Sequence, residues 1–135
     1  MVRYSIAVGC LLLLSCSMKQ DISMAQTAIA EFHHRFEAGD DGQIFTDAAP
    51  EYQKAMGAET SRAFFARIRR KLGAFHSSQP TNIQVNHMPG GTFVVAQYQT
   101  QFEKGSAQED FTLRIDRGRP RLLKYSISSP LLLTD

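Results

Sequence analysis

The clearest hydrophobic pattern in the chain is the alternation over Thr92–Phe102, TFVVAQYQTQF. Val94, Ala96, Tyr98, Thr100 and Phe102 fall on one face, and Phe93, Val95, Gln97, Gln99 and Gln101 on the other, which is the period of a half-buried strand. Three flanking runs alternate in the same way and present Ile83 and Val85; Phe111, Leu113 and Ile115; and Leu123, Tyr125 and Ile127. Gly90-Gly91, Gly105-Ser106 and Gly118-Arg119-Pro120 separate the runs and read as turns. The first turn predicts Val85 opposite Ala96 and His87 opposite Val94. The second sets Phe102 opposite Glu109, Thr100 opposite Phe111 and Tyr98 opposite Leu113. The third sets Leu113 opposite Tyr125 and Ile115 opposite Leu123. In these registers every apolar face points the same way, as an antiparallel meander with one covered side requires. Tyr98, Leu113 and Tyr125 are then expected to meet across the sheet, with Phe32 or Phe36 over them.

Upstream the period lengthens. Ile22, Ala25, Ile29, Phe32 and Phe36 recur at spacings of 3, 4, 3 and 4, the stripe of an amphipathic helix from Asp21 to about Ala38, with Gly39 as its stop. Asp40-Asp41-Gly42 reads as a turn in which either Asp is a candidate cap. Ile44, Phe45 and Ala48 predict one short helical turn. Pro50 opens a helix to Met56 that Gly57 closes. Thr60 or Ser61 is expected to cap a further helix through Leu72, with Phe64, Phe65, Ile68 and Leu72 inward and Gly73 at its end. Ala74–Pro80 reads as a polar link. Helices first and a one-sided sheet after them predict an α+β fold: N-terminal helices packed on one face of a curved antiparallel four-stranded meander, cone-like in outline. This domain spans 21–128. Residues 129–135 form a C-terminal extension with no readable role.

The length of 135 residues suits one domain with a modest core. Fifteen basic against thirteen acidic residues leave a net charge of +2, which gives no electrostatic footprint for nucleic acid. Met1–Ser5 carries one charge, Arg3, and is followed by the nine-residue apolar run Ile6–Leu14. That run is too short to span a bilayer and suits a signal-peptide h-region. It ends in Leu13-Leu14-Ser15-Cys16, which resembles the bacterial lipobox; Leu14 is larger than is usual at its place. The resemblance implies a lipoprotein signal peptide over 1–15, lipidation (palmitate among the acyl groups) at Cys16, and a tether over 16–20. Two or three acyl chains would give stable anchoring to the membrane. Ser17, rather than Asp, after the Cys implies an outer-membrane address facing the periplasm. Without the signal, Cys16 is the one cysteine left, so the exported domain is expected to carry no disulfide and no cysteine nucleophile.

The run Gly91-Thr-Phe-Val-Val-Ala-Gln-Tyr-Gln-Thr-Gln-Phe-Glu-Lys-Gly-Ser-Ala-Gln-Glu109, with Tyr125-Ser-Ile127, Asp47-Ala-Ala-Pro-Glu-Tyr52 and Leu72-Gly73, resembles a family of small exported bacterial proteins of unknown function related to the nuclear transport factor two-like cone fold. The resemblance covers roughly residues 24–128. It implies a curved sheet wrapped on helices and brings no activity with it. The Trp usual in that family before the last strand is absent here, and Pro120 lies near its place.

Cone folds commonly hold a pocket between sheet and helices. The inward parity assigns His87, Tyr98, Thr100, Glu109 and Tyr125 to that side, and His33 flanks the helical stripe. A pocket carboxylate with tyrosine donors is the general-base pattern of a cone-fold enzyme. Glu109, beside its hairpin turn, is expected to sit at a solvated rim and to be chemically idle. His33-His34 are adjacent and point about 100° apart on a helix, so no metal site is predicted, and no cofactor motif occurs. The outward Gln97, Gln99 and Gln101, with Arg114 beside them, form a candidate face for a protein partner or a homodimer. Arg67, Arg69, Arg70 and Lys71 complement their helix end, with contact to anionic lipid as the alternative. The leading expectation is a non-enzymatic, membrane-anchored periplasmic lipoprotein that binds a protein partner or a small apolar ligand. Its alternatives are an immunity-type lipoprotein neutralising an envelope-targeting toxin, and a cone-fold enzyme using Glu109, Tyr98 and Tyr125.

Overall fold

The computed structural model describes residues 10–134, with side chains from residue 16 onward. The n-region, most of the h-region and the side chains of Leu13, Leu14 and Ser15 lie outside the described residues. Four helices are followed by four strands and a final 3-10 turn: α1 Cys10–Ala38, α2 Asp41–Asp47, α3 Pro50–Met56, α4 Ala58–Leu72, β1 Phe75–Met88, β2 Gly91–Phe102, β3 Ser106–Asp116, β4 Arg119–Ser128 and η1 Pro130–Leu132. The strands pair in sequence order as one open antiparallel sheet. This is the α+β architecture that the two hydrophobic periods imply.

α1 buries Ala25, Ile29, Phe32 and Phe36, one stripe, against the sheet. It runs unbroken from Cys10, so the tether residues 16–20 are helical. α4 buries Phe65, Ile68 and Leu72, with the Phe65 ring against Phe32 and Phe36 of α1 and Tyr125 of β4. Pro50 stands in the first turn of α3, where its missing N–H costs nothing. Neither Thr60 nor Ser61 caps α4; Gly57 does, and Ser61 is buried with its hydroxyl 3.0 Å from that of Tyr52. Asp40 holds the α2 cap position without a side-chain cap bond. Asp41 is buried and ion-paired to Arg69 at 2.5 Å, which ties the start of α2 to α4.

The inward face of β2 is as its alternation predicts, with Val94, Ala96, Tyr98, Thr100 and Phe102 all buried. The partners differ from the expected ones. Tyr98 lies opposite Glu109, Ala96 opposite Phe111 and Val94 opposite Leu113. Val85 lies opposite Val94 and Ile83 opposite Ala96. The turns are Pro89-Gly90 and Glu103-Lys104 rather than Gly90-Gly91 and Gly105-Ser106, since the flanking residues Met88 and Gly91, and Phe102 and Gly105, still pair. Each slip is an even number of residues, so every side chain keeps its face while changing its neighbour.

β3 and β4 join through Arg117-Gly118, both at positive φ (52° and 76°) as a tight primed turn needs. A register shift between Thr112 and Leu113 makes Leu123 the extra residue of a bulge. Leu122 therefore points into the core in place of Leu123, and Tyr125 recovers the inward parity. Phe111, not Leu113, joins Tyr98 to Tyr125, with ring centroids 5.7 and 5.1 Å away. Phe32 caps this cluster at 5.2 Å from Phe111 and 4.9 Å from Tyr125. The Ala74–Pro80 segment is not a link but the first half of β1, with shifts at Phe75/Ser77 and Pro80/Asn82 that bend it around α1.

Two local closures complete the domain. The N–H of Ala49 donates to the Leu122 carbonyl at 2.8 Å, so the α2–α3 link covers the open edge of β4 at its bulge. At the other end of the sheet Ser129 donates to the Ser106 carbonyl at 2.8 Å and η1 lays Leu131 and Leu132 against the core. The C-terminal extension is thus a seal between α4 and the β2–β3 turn.

Candidate functional site

Two features bear on function: a buried polar cluster under α1, and an open groove beside it. The cluster grows from Glu109 on β3, whose parity turns its carboxylate inward and whose register places it opposite Tyr98 and Ile127. Glu109 is 1% exposed, so the expected solvated rim is corrected to a buried site. The cause is the slipped β2–β3 register, which moves Glu109 from the turn to the middle of the sheet and under α1. Thr100 Oγ1 donates to Oε1 at 2.5 Å, Tyr125 donates to Oε2 at 2.5 Å, and His33 Nε2 lies 2.7 Å from Oε1. The Glu109 carboxyl group is thus held by two hydroxyl donors and by the ring nitrogen of His33. His33, 3% exposed, stacks on Phe75 at 4.3 Å and meets Phe111 edge-on at 5.8 Å. Those rings fix its imidazole plane and hold it against the carboxylate.

Burial, the charge of Glu109 and the bond to it hold the Tyr125 phenol well above its ordinary range. Burial and the same charge also raise Tyr98, whose ring lies 6.4 Å from His33. Tyr52 is raised by burial, with the Ser61 bond acting the other way. Of the three phenols, Tyr125 is the one that donates to Glu109. Among the described residues, no buried side-chain polar atom lacks a partner.

The structure thus brings together four of the five predicted pocket residues, His33, Tyr98, Glu109 and Tyr125, and excludes the fifth. His87 is exposed near the tip of the β1–β2 hairpin, 3.1 Å from the Thr92 hydroxyl. Thr100, placed on the inward side by its parity alone, proves to be a direct partner of Glu109. Among the described residues no group of His, Cys, Asp and Glu is arranged to hold a metal ion.

The groove has a volume of about 490 Å³ and lies between α1, α2 and the β3–β4 hairpin. Phe32, Ile44, Ala48, Leu113 and Leu122 are its apolar lining; Arg35, Asp47 and Arg119 stand at its rim. Asp47 lies between the two guanidiniums, 3.3 Å from Arg35 and 3.4 Å from Arg119. Glu109 does not line the groove, and Phe32 and Phe111 line it while also packing against the buried cluster. No local sequence signal marks this groove, because its walls come from segments remote in the chain. The bulge at Leu123 that turns Leu122 into it has no local signature.

On the outer side of the sheet Gln99 and Gln101 are exposed and Gln97 is partly so. Arg114 does not belong to an open face: its guanidinium is 2.6 Å from Glu51 on α3. The bond to Arg114 lowers Glu51 below the usual carboxylate range, and the same bond raises Arg114. The basic run of α4 is largely engaged within the molecule, Arg67 on the Leu132 carbonyl, Arg69 on Asp41 and Lys71 on the Thr134 carbonyl. Cys16 is exposed as a free thiol. Among the described residues no helix is long and apolar enough to cross a membrane.

The chain belongs to a family described as proteins of unknown function (DUF4019), whose profile matches residues 28–125. That span takes in the buried cluster and most of the groove. No curated protein matches the chain.

Proposed function

We propose that this family member is a lipid-anchored protein of the bacterial envelope that holds a small apolar ligand in the groove, without catalysing a reaction on it. The groove itself carries the reading. Its volume of about 490 Å³ falls in the range of about 300–1,000 Å³ usual for small-molecule sites, which are apolar with a few polar groups at the mouth. Leu113, Leu122 and Ile44 supply the lining, while Arg35 and Arg119 supply the polar mouth. The h-region and the lipobox-like Leu13-Leu14-Ser15-Cys16 support acylation of Cys16, and Ser17 supports an outer-membrane address. Helices followed by a curved meander support kinship with the nuclear transport factor two-like cone.

Binding of an environment-sensitive apolar dye, displaced by fatty acids, tests the groove. Ala28 lines it and is partly buried, so Ala28→Trp should fill the space and abolish dye binding while the fold is kept. Equal binding by Ala28→Trp would remove the groove from consideration.

One observation favours a second, enzymatic reading: Phe32 and Phe111 line the groove and also lie against the His33 ring, which contacts Glu109. A ring flip of Phe32 would bring a ligand against a carboxylate already paired with an imidazole, the general-base pattern. Loss of function in a folded Glu109→Gln protein that still binds dye would decide for this reading. A third route, partner binding or homodimerisation through Gln97, Gln99 and Gln101, is supported by the uncovered outer face of the sheet.

A further inference from the structure

The meander places the β1–β2 and β3–β4 turns at one end of the molecule and the β2–β3 turn at the other. The row Thr92, Ile115 and Pro120 runs across the strands just inside the first end. That same end receives the N-terminal part of α1, since Ser23 and Met24 line the groove together with Gly118, Arg119 and Pro120. Three kinds of exposed group gather there. Arg117 and Arg119 are exposed and Arg121 is partly so; Arg119 lies 3.4 Å from Asp47 and Arg121 3.9 Å from Asp116, surface pairs that Arg117 does not share. Met88 at the tip of the neighbouring hairpin is 54% exposed, and Met18 on the first turns of α1 beyond the anchor residue is 44% exposed. Lys19 is exposed beside Met18. Two of the three large apolar side chains that the described residues leave exposed are therefore on α1 near Cys16 and at this end of the sheet.

From Cys16 to Ser23 is about two helical turns, which at 1.5 Å per residue sets the groove end only ~10 Å from the anchor. A surface potential decays over about 8 Å at physiological ionic strength, a length comparable with that separation. Because α1 is unbroken through Ser17–Gln20, the domain cannot swing freely as it would on a disordered tether.

We propose that this end of the domain docks on the anionic phospholipid head groups of the anchoring bilayer, with Arg117, Arg119, Arg121 and Lys19 on the phosphates and Met18 and Met88 at the interfacial boundary. The groove mouth then opens at the membrane surface, where an apolar ligand can enter without crossing water. The placement rests on the anchor reading above.

The test uses the full chain, exported and purified, in vesicles of phosphatidylcholine alone or with phosphatidylglycerol. A dye is placed at Met88→Cys, or at Gln101→Cys near the opposite end, and quenchers are carried on the lipid. Quenching at position 88 is expected in anionic vesicles and its loss in phosphatidylcholine. It should also be lost at about 1 M salt, where screening shortens to about 3 Å. Position 101 should stay unquenched throughout. Arg117→Glu, which touches neither the groove nor any ion-pair partner among the described residues, should lose the quenching at 88; Arg121→Glu serves if Arg117→Glu misfolds. Equal quenching at 88 and 101, or none at 88 in anionic vesicles, overturns the proposal. Mass measurement of Cys16 reads the anchor separately. If Cys16 is unmodified, the same labelled chain in a Cys16→Ser background is added to the vesicles, and quenching at 88 again supports docking while its absence overturns it.

Discussion

Glu109 is enclosed by rings and bonded to two hydroxyls and an imidazole nitrogen, so its surroundings replace water with fixed hydrogen bonds. Such an arrangement is costly to break, because removing one partner leaves the others buried and unpaired. Glu109→Ala is expected to lose about 3–5 kcal/mol in chemical denaturation. Tyr125→Phe, which removes one neutral donor, should lose about 1–3 kcal/mol. The phenol also predicts an alkaline limit. Its folded pKa is raised above the ordinary value of 10.0, so the folded state holds the proton more tightly than the unfolded chain. That stability is full below about pH 10 and declines as pH rises through the folded value. Stability curves of wild type and Tyr125→Phe should therefore converge above pH 10. Parallel curves would mean that Tyr125 is not shielded as its bonds imply.

At the scale of elements, the β3–β4 hairpin decides which leucine is core. An unbroken alternation ending at Tyr125 buries Leu123, whereas the bulge buries Leu122 and leaves Leu123 partly exposed. Leu122→Ala should cost about 2–5 kcal/mol, and Leu123→Ala clearly less; denaturation midpoints of the two variants compare them directly. Equal losses would return the strand to the simple alternation. Periodicity identified the faces because a pleated strand has a strict period of two. It did not identify partners, since slips of two or four residues leave every face unchanged. The helices were legible for a similar reason: the stripe of α1 and the stops at Gly39, Gly57 and Gly73 are local signals. The stop at Gly73 has a spatial reason as well, because at φ 77° a Cβ would come within 2.8 Å of the Glu103 Cβ. The strand character of Phe75–Pro80 was hidden behind polar residues, since most of that stretch is exposed even in the sheet. Glu109, His33 and Tyr125 could be nominated by parity, but their mutual bonds depend on the β2–β3 register and on how α1 crosses the sheet.

For the whole molecule, the anchor, the groove and the C-terminal seal make separable contributions. Removing residues 129–135 takes away the Ser129–Ser106 bond and the cover given by Leu131 and Leu132. The truncated chain should lose stability at the β2–β3 end while the groove, at the opposite end, still binds dye. The anchor predicts the opposite separation. If Cys16 is acylated, Cys16→Ser removes the lipid and touches nothing in the folded core, because Cys16 and Ser17 are exposed and, from residue 16 onward, the first buried residue of α1 is Ala25. Cys16→Ser is therefore expected to stop incorporation of labelled palmitate and release the protein from washed membranes, with unchanged melting and unchanged dye affinity. The two readouts guard against each other. A protein that leaves the membrane but also melts early would show that α1 needs its first turns for folding. One that stays bound and still takes up palmitate would place the acyl chain elsewhere and end the lipobox reading. Where the release is clean, the unanchored domain should bind apolar ligand from detergent micelles as before. It should draw the ligand from intact vesicles more slowly, since the anchor is what holds the groove mouth at the bilayer.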